Sequence, residues 1–148
     1  MKKTSKILMT VLATLLLLAG CQTSPFETMV LLDETLAEVN VAKSEGAGDM
    51  NLILLHSFDD KETVAFFKEA ITTARNVGDS PLENPDYDVM VEYKATEEGS
   101  LPAHGIHLWL GEADEKSYFM YMIGDEVYET SAKTTNRMRA YILESGEE

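Results

Sequence analysis

Between Pro85 and Ala95 the chain alternates without a slip: Tyr87, Val89, Val91 and Tyr93 take one set of positions, and Asp88, Met90, Glu92 and Lys94 take the other. Successive side chains of a strand point to opposite faces, so a period of two marks a strand with one buried face. Such a strand is not stable alone. It commits the chain to a sheet, and the apolar face of that sheet to a covering layer.

The rest of the chain supplies both. Ala37, Val39 and Val41 alternate with Glu38 and Asn40, the loop Glu45–Asp49 turns the chain, and Leu52–Phe58 reads as the second arm of an antiparallel hairpin. Asp59 with Glu62 three positions on has the form of a capping box, and Val64, Phe67, Ile71 and Ala74 then recur at helical spacing, which predicts a helix over about 60–76. After the loop Asp79–Pro85 come the alternating strand, a turn at Thr96–Pro102, and strands at Gly105–Leu110, Ser117–Ile123 and Glu126–Thr130. Gly124-Asp125 suits a two-residue type II′ hairpin. A closing helix starts near Ser131, with Thr135, Met138 and Ile142 on one stripe. The order β-β-α-β-β-β-β-α predicts an α+β domain, two helices packed on an antiparallel sheet.

The N-terminus reads as an address. Lys2, Lys3 and Lys6 precede the apolar run Ile7–Ala19, which at 13 residues falls short of the ~20 a spanning helix needs. The run closes on Leu18-Ala19-Gly20-Cys21, which resembles the lipobox of bacterial lipoprotein signals. That resemblance implies cleavage before Cys21, diacylglycerol on its thiol, and a lipid anchor at the extracytoplasmic face of the cell membrane. Cys21 is the only cysteine, so no intramolecular disulfide competes for it. The expected organisation is a signal peptide over 1–20, a lipidated tether over 21–33 and one domain over 34–148.

Charge narrows the partners. Without the three signal lysines the chain holds 26 acidic against nine basic residues, a net charge of −17. Nucleic acid, whose phosphates need Lys and Arg, is excluded as a partner. The same charge opposes contact between protein surface and anionic lipid, leaving the acyl chains as the link to the bilayer.

The series Ser57-Phe58-Asp59-Asp60, Phe67, Ala70-Ile71, Pro85-Asp86-Tyr87, His107-Leu108-Trp109-Leu110 and Tyr128 before a final helix is similar to the YhfM-like domain of small bacterial lipoproteins, over roughly 34–143. The resemblance carries over no catalytic residue.

Chemistry is sparse. His104 and His107 stand three apart in a strand and so point to opposite faces, which argues against a shared metal ion. Asp59-Asp60 and Asp86-Tyr87-Asp88 match no calcium-loop pattern, and no nucleophile elbow, phosphate-cradling loop or cofactor motif is present. The candidate binding surface is His107 with Trp109 on one strand face. That face lies either outward, as an aromatic patch for protein or glycan, or beneath the closing helix. The expected function is a non-enzymatic envelope lipoprotein that binds or modulates another envelope component. The alternatives are a hydrolase or ligand carrier acting on cell-wall material around His107, and an inhibitor or immunity-type protein, on fold analogy.

Overall fold

The computed structural model describes residues 27–79 and 83–144; the expected signal peptide over 1–20 and the expected lipidation site Cys21 lie outside the described residues. Seven strands are present: β1 (Leu36–Lys43), β2 (Leu54–Phe58), β3 (Arg75–Gly78), β4 (Tyr87–Tyr93), β5 (His104–Trp109), β6 (Tyr118–Tyr121) and β7 (Val127–Glu129). They form one antiparallel sheet in the order β2-β1-β4-β5-β6-β7-β3. Two helices accompany it, α1 (Lys61–Thr72) and α2 (Ala132–Arg139), the latter running on into a π-helical turn over Ala140–Glu144. The class is the expected α+β, in the expected order, with the short strand β3 added where the chain leaves α1.

Helix α1 starts one residue later than the capping-box reading placed it. Asp60, not Asp59, has the extended backbone of a cap, and its carboxylate accepts the Thr63 N–H at 2.9 Å. Two adjacent aspartates made either position chemically eligible. The helix also ends at Thr72, because the chain beyond it joins the sheet: Ala74 C=O accepts from Met29, Asn76 N–H donates to Glu27, and Arg75–Gly78 pairs with β7. Gly78 closes β3 at φ +79°, a value that L side chains rarely adopt.

The residues just before β1, which belong to the expected tether, pack on the domain. Met29 and Leu31 join the core, and Thr28 bridges to Arg75 at the outer side of β3. The β6–β7 connection is wider than a type II′ turn. Met120 pairs with Val127, and Gly124 lacks the positive φ that a type II′ turn requires.

Alternation divides the sheet into two faces. On the front, Val39, Val41, Val89, Val91, Ile106, Leu108 and Phe119 are fully buried beneath Phe67 and Ile71 of α1 and Met138 of α2. Phe58, Phe66, Phe67 and Tyr141 form an aromatic cluster that joins β2 to both helices, with ring centroids 5.3–6.1 Å apart. The back face carries the alternate residues of the same strands, and among the described residues neither helix covers it.

Candidate functional site

At the middle of the back face, Asp88 of β4 stands opposite His107 of β5. The His107 Nδ1 lies 3.0 Å from Asp88 Oδ1, and both residues are buried, 1% and 0% exposed. The second carboxylate oxygen of Asp88 accepts the Asn51 backbone N–H at 3.0 Å. Asn51 is itself held by Lys43 C=O and caps Ile53 N–H, so the loop ahead of β2 is stapled across this face. A buried carboxylate is tolerable only where its oxygens find donors, and both oxygens of Asp88 do.

Trp109, two residues along β5, places its ring 6.2 Å from His107 and donates Nε1–H to Glu83 C=O at 2.7 Å. His107 and Trp109 therefore form no open aromatic patch, nor do they lie beneath α2, which packs on the front. His107 is interior and Trp109 half-buried. The physical reason is that the loops preceding β2 and β4 bind this face through Asn51 and Glu83.

The arrangement has a definite chemical capacity. A carboxylate that accepts a hydrogen bond from Nδ1–H fixes the imidazole orientation and leaves Nε2 as the acceptor, the form in which histidine acts as a base. Among the described residues, no serine, threonine or tyrosine hydroxyl is hydrogen-bonded to His107.

The other histidines serve elsewhere. His104 lies on the front face, as the period of two requires, with Nδ1 2.8 Å from the Tyr93 hydroxyl. That hydroxyl accepts the Leu32 N–H, while the Tyr121 hydroxyl accepts from Val30 N–H and donates to Val30 C=O. These groups clamp the segment before β1 to the end of the sheet. Burial lowers the His104 pKa and raises those of Tyr93 and Tyr121. His56 Nε2 meets Ile142 C=O at 2.8 Å and ties β2 to the C-terminal turn. Among the described residues, no three His, Cys, Asp or Glu side chains are grouped to hold a metal ion.

Two open grooves flank the sheet. One, of about 560 Å³, runs between the start of α1 and β1 and mixes Lys61, Lys68 and Lys94 with Asp33, Glu34 and Asp59. The other, of about 600 Å³, lies at the end of the back face among Met50, Met90, Tyr121 and Met122. A Cβ at Gly105 would sit 2.6 Å from the Met122 sulfur, so the flexible Met122 side chain would have to shift to admit one. Among the described residues, the longest exposed apolar stretch is at the sheet edge. Leu52 and Ile53 are 81% and 78% exposed, and Leu54 and Leu55 at the start of β2 are also exposed.

A family model described as YhfM protein matches residues 36–147, which spans the entire sheet and both helices. The chain belongs to the YhfM family. Among solved structures, the YhfM domain is similar to a thioesterase-like protein from Clostridium sporogenes, with a TM-score of 0.60 at 16% identity, over 74% of this chain and 95% of that one. At that identity the likeness shows a shared fold. It nevertheless corrects the expectation of a non-enzymatic chain. That expectation rested on the lipid anchor and on missing motifs, and the fold found here is also that of a thioesterase-like protein, so the absence of short motifs decides nothing. No curated protein matches the YhfM chain.

Proposed function

We propose that this YhfM-family chain is an envelope lipoprotein, held at the extracytoplasmic membrane face through acylated Cys21, whose domain binds an extended segment of another envelope protein along β2. The supporting observation is the character of that edge. Residues 50–58 contain no charged side chain and no proline in a strongly acidic chain, and four consecutive apolar residues within them are exposed. Edge strands that must stay unpaired usually carry charge, proline or a cover. This one offers backbone hydrogen bonds to an added strand and apolar contacts to its side chains.

The placement of the tether favours the same reading. The segment leading back toward Cys21 leaves the domain beside β3, at the far edge from β2. Six strand spacings of ~4.8 Å separate the edges by about 29 Å, so an anchor on the β3 side leaves β2 free to meet a partner.

In cells, a photo-crosslinking residue at Leu55 is expected to give one discrete protein adduct, and the same probe at Glu98, in the turn between β4 and β5, none. The adduct partner, once purified, should bind the wild-type chain and not the Ile53→Lys/Leu55→Lys variant. Equal adducts at both positions, or none at Leu55, refute the reading. Palmitate label that persists in Cys21→Ala refutes the anchor.

A second reading, an acyl hydrolase, is favoured by the oriented Asp88–His107 pair together with the thioesterase-like neighbour. It requires thioester or cell-wall acyl turnover by the purified chain that His107→Gln abolishes while the variant stays folded.

A further inference from the structure

Toward the β2 side of the back face, four polar side chains from three strands converge. Glu38 of β1 and Glu92 of β4 stand directly opposite each other, and Asn40 of β1 stands opposite Ser57 of β2. The contacts close the group. Asn40 Nδ2 donates to Glu92 Oε1 at 3.1 Å, and the Ser57 hydroxyl donates to Glu38 Oε1.

Two features of the group are unsatisfied. Like charges directly opposite on adjacent strands destabilise a sheet, and among the described residues neither Glu38 nor Glu92 meets a lysine, arginine or histidine. Asn40 is only 5% exposed, yet its Oδ1 is buried without any hydrogen-bond donor. An orphaned buried acceptor is rare in a folded protein and calls for a specific explanation. What the group lacks is positive charge that accepts oxygen ligands; what it holds is two carboxylates, an amide oxygen and a hydroxyl.

We propose that Glu38, Asn40, Ser57 and Glu92 form a binding site for a hard divalent cation, with Ca²⁺ the best fit. Carboxylate, amide carbonyl and hydroxyl oxygens are the ligands such a cation takes, and the irregular coordination that side chains from three strands provide suits Ca²⁺ better than the strict octahedron of Mg²⁺. The cation neutralises the opposed glutamates and takes Asn40 Oδ1 as a ligand. It also ties edge strand β2 to β1 and β4 through side chains, in addition to the backbone ladder. Short-range sequence pattern does not reveal this site, since half of its donors are neutral and its residues span positions 38–92.

Isothermal titration of the purified full chain, stripped with chelator, with CaCl₂ tests it. The expected Kd is about 10⁻⁴–10⁻³ M, the range of extracellular calcium modules. Glu38→Gln and Glu92→Gln should each weaken binding by at least ~10-fold. Both variants remove a like-charge contact, so their melting temperatures without calcium should equal or exceed that of the wild type, which separates lost binding from lost folding. A wild-type chain with neither heat of binding nor a melting shift at about 10 mM Ca²⁺ overturns the proposal. So does calcium binding unchanged in both glutamine variants, which would assign it to the general acidic surface. Equal affinity for Mg²⁺ overturns the choice of Ca²⁺.

Discussion

The two faces of the sheet use the same strands and the same alternation, yet they bury their residues by different means. The front is sealed by helices: Val39, Val41, Val89, Val91, Ile106 and Leu108 lie under α1 and α2 and ask only for apolar volume. Among the described residues, the back has no helix over it. Asp88 and His107 are as buried as any core valine, but beneath loops, and each depends on a named partner. Apolar burial is non-directional and tolerates exchange of one hydrophobe for another of similar size. Polar burial is directional, and the loss of one partner leaves the other with an uncompensated desolvation cost.

The largest effect belongs to the front. Phe67 is fully buried and its ring meets those of Phe58, Phe66 and Tyr141. Phe67→Ala is expected to cost about 3–5 kcal/mol in urea unfolding, with Phe67→Met costing clearly less. A cost below about 1 kcal/mol for the alanine variant would mean that the front is not the sealed side, and the contrast between faces would fail.

The back-face pair should respond by partner and not by volume. Asp88→Ala strands both His107 Nδ1 and the Asn51 N–H without an acceptor, for an expected loss of about 1–3 kcal/mol. Asp88→Val combined with His107→Met should lose less than the two single changes added together, a coupling that a double-mutant cycle measures. Strict additivity would show that the pair is two independent buried groups and remove the basis for treating it as a unit.

This difference in means also explains what the sequence reveals. The alternation of 87–94 identifies β4 and its front face outright, because period two is a local property, and the stripe of Val64, Phe67 and Ile71 does the same for α1. Strand β3 leaves no such trace: four residues, Arg-Asn-Val-Gly, carry no alternation, and only pairing with β7 and the contacts from residues 27–29 make them a strand. His107 is visible in the sequence as an isolated histidine beside Trp109, but its role depends on Asp88, 19 positions away, and on Asn51, a further 37. Facing register between β4 and β5 is the signal that would have paired them, since it sets Asp88 and His107 directly opposite each other on the back face. The loops that bury them follow no periodicity, so the outward or helix-covered alternatives were the ones pattern alone offered. The Glu38–Glu92 opposition is likewise a matter of register, invisible until β1 and β4 are aligned.

The smallest expected effect tests the end of the sheet where the faces meet the N-terminal segment. Burial holds the pKa of His104 below the ordinary 6.5, while its Nδ1 contacts the Tyr93 hydroxyl that receives Leu32 N–H. The unfolded chain therefore binds a proton at this position at a higher pH than the folded chain does. By linkage, stability contributed here is complete above pH 6.5 and declines as the pH falls from there through the folded-state pKa. Chemical unfolding followed stepwise downward from neutral pH should show a stability slope across that interval in the wild type and a shallower one in His104→Gln, which has no proton to bind. Amide exchange at Val30 and Leu32 should quicken over the same interval in the wild type, because their N–H groups hang on Tyr121 and on the Tyr93–His104 pair. If the slope is the same in both proteins, His104 does not couple the segment to pH, and the clamp rests on the two tyrosines alone.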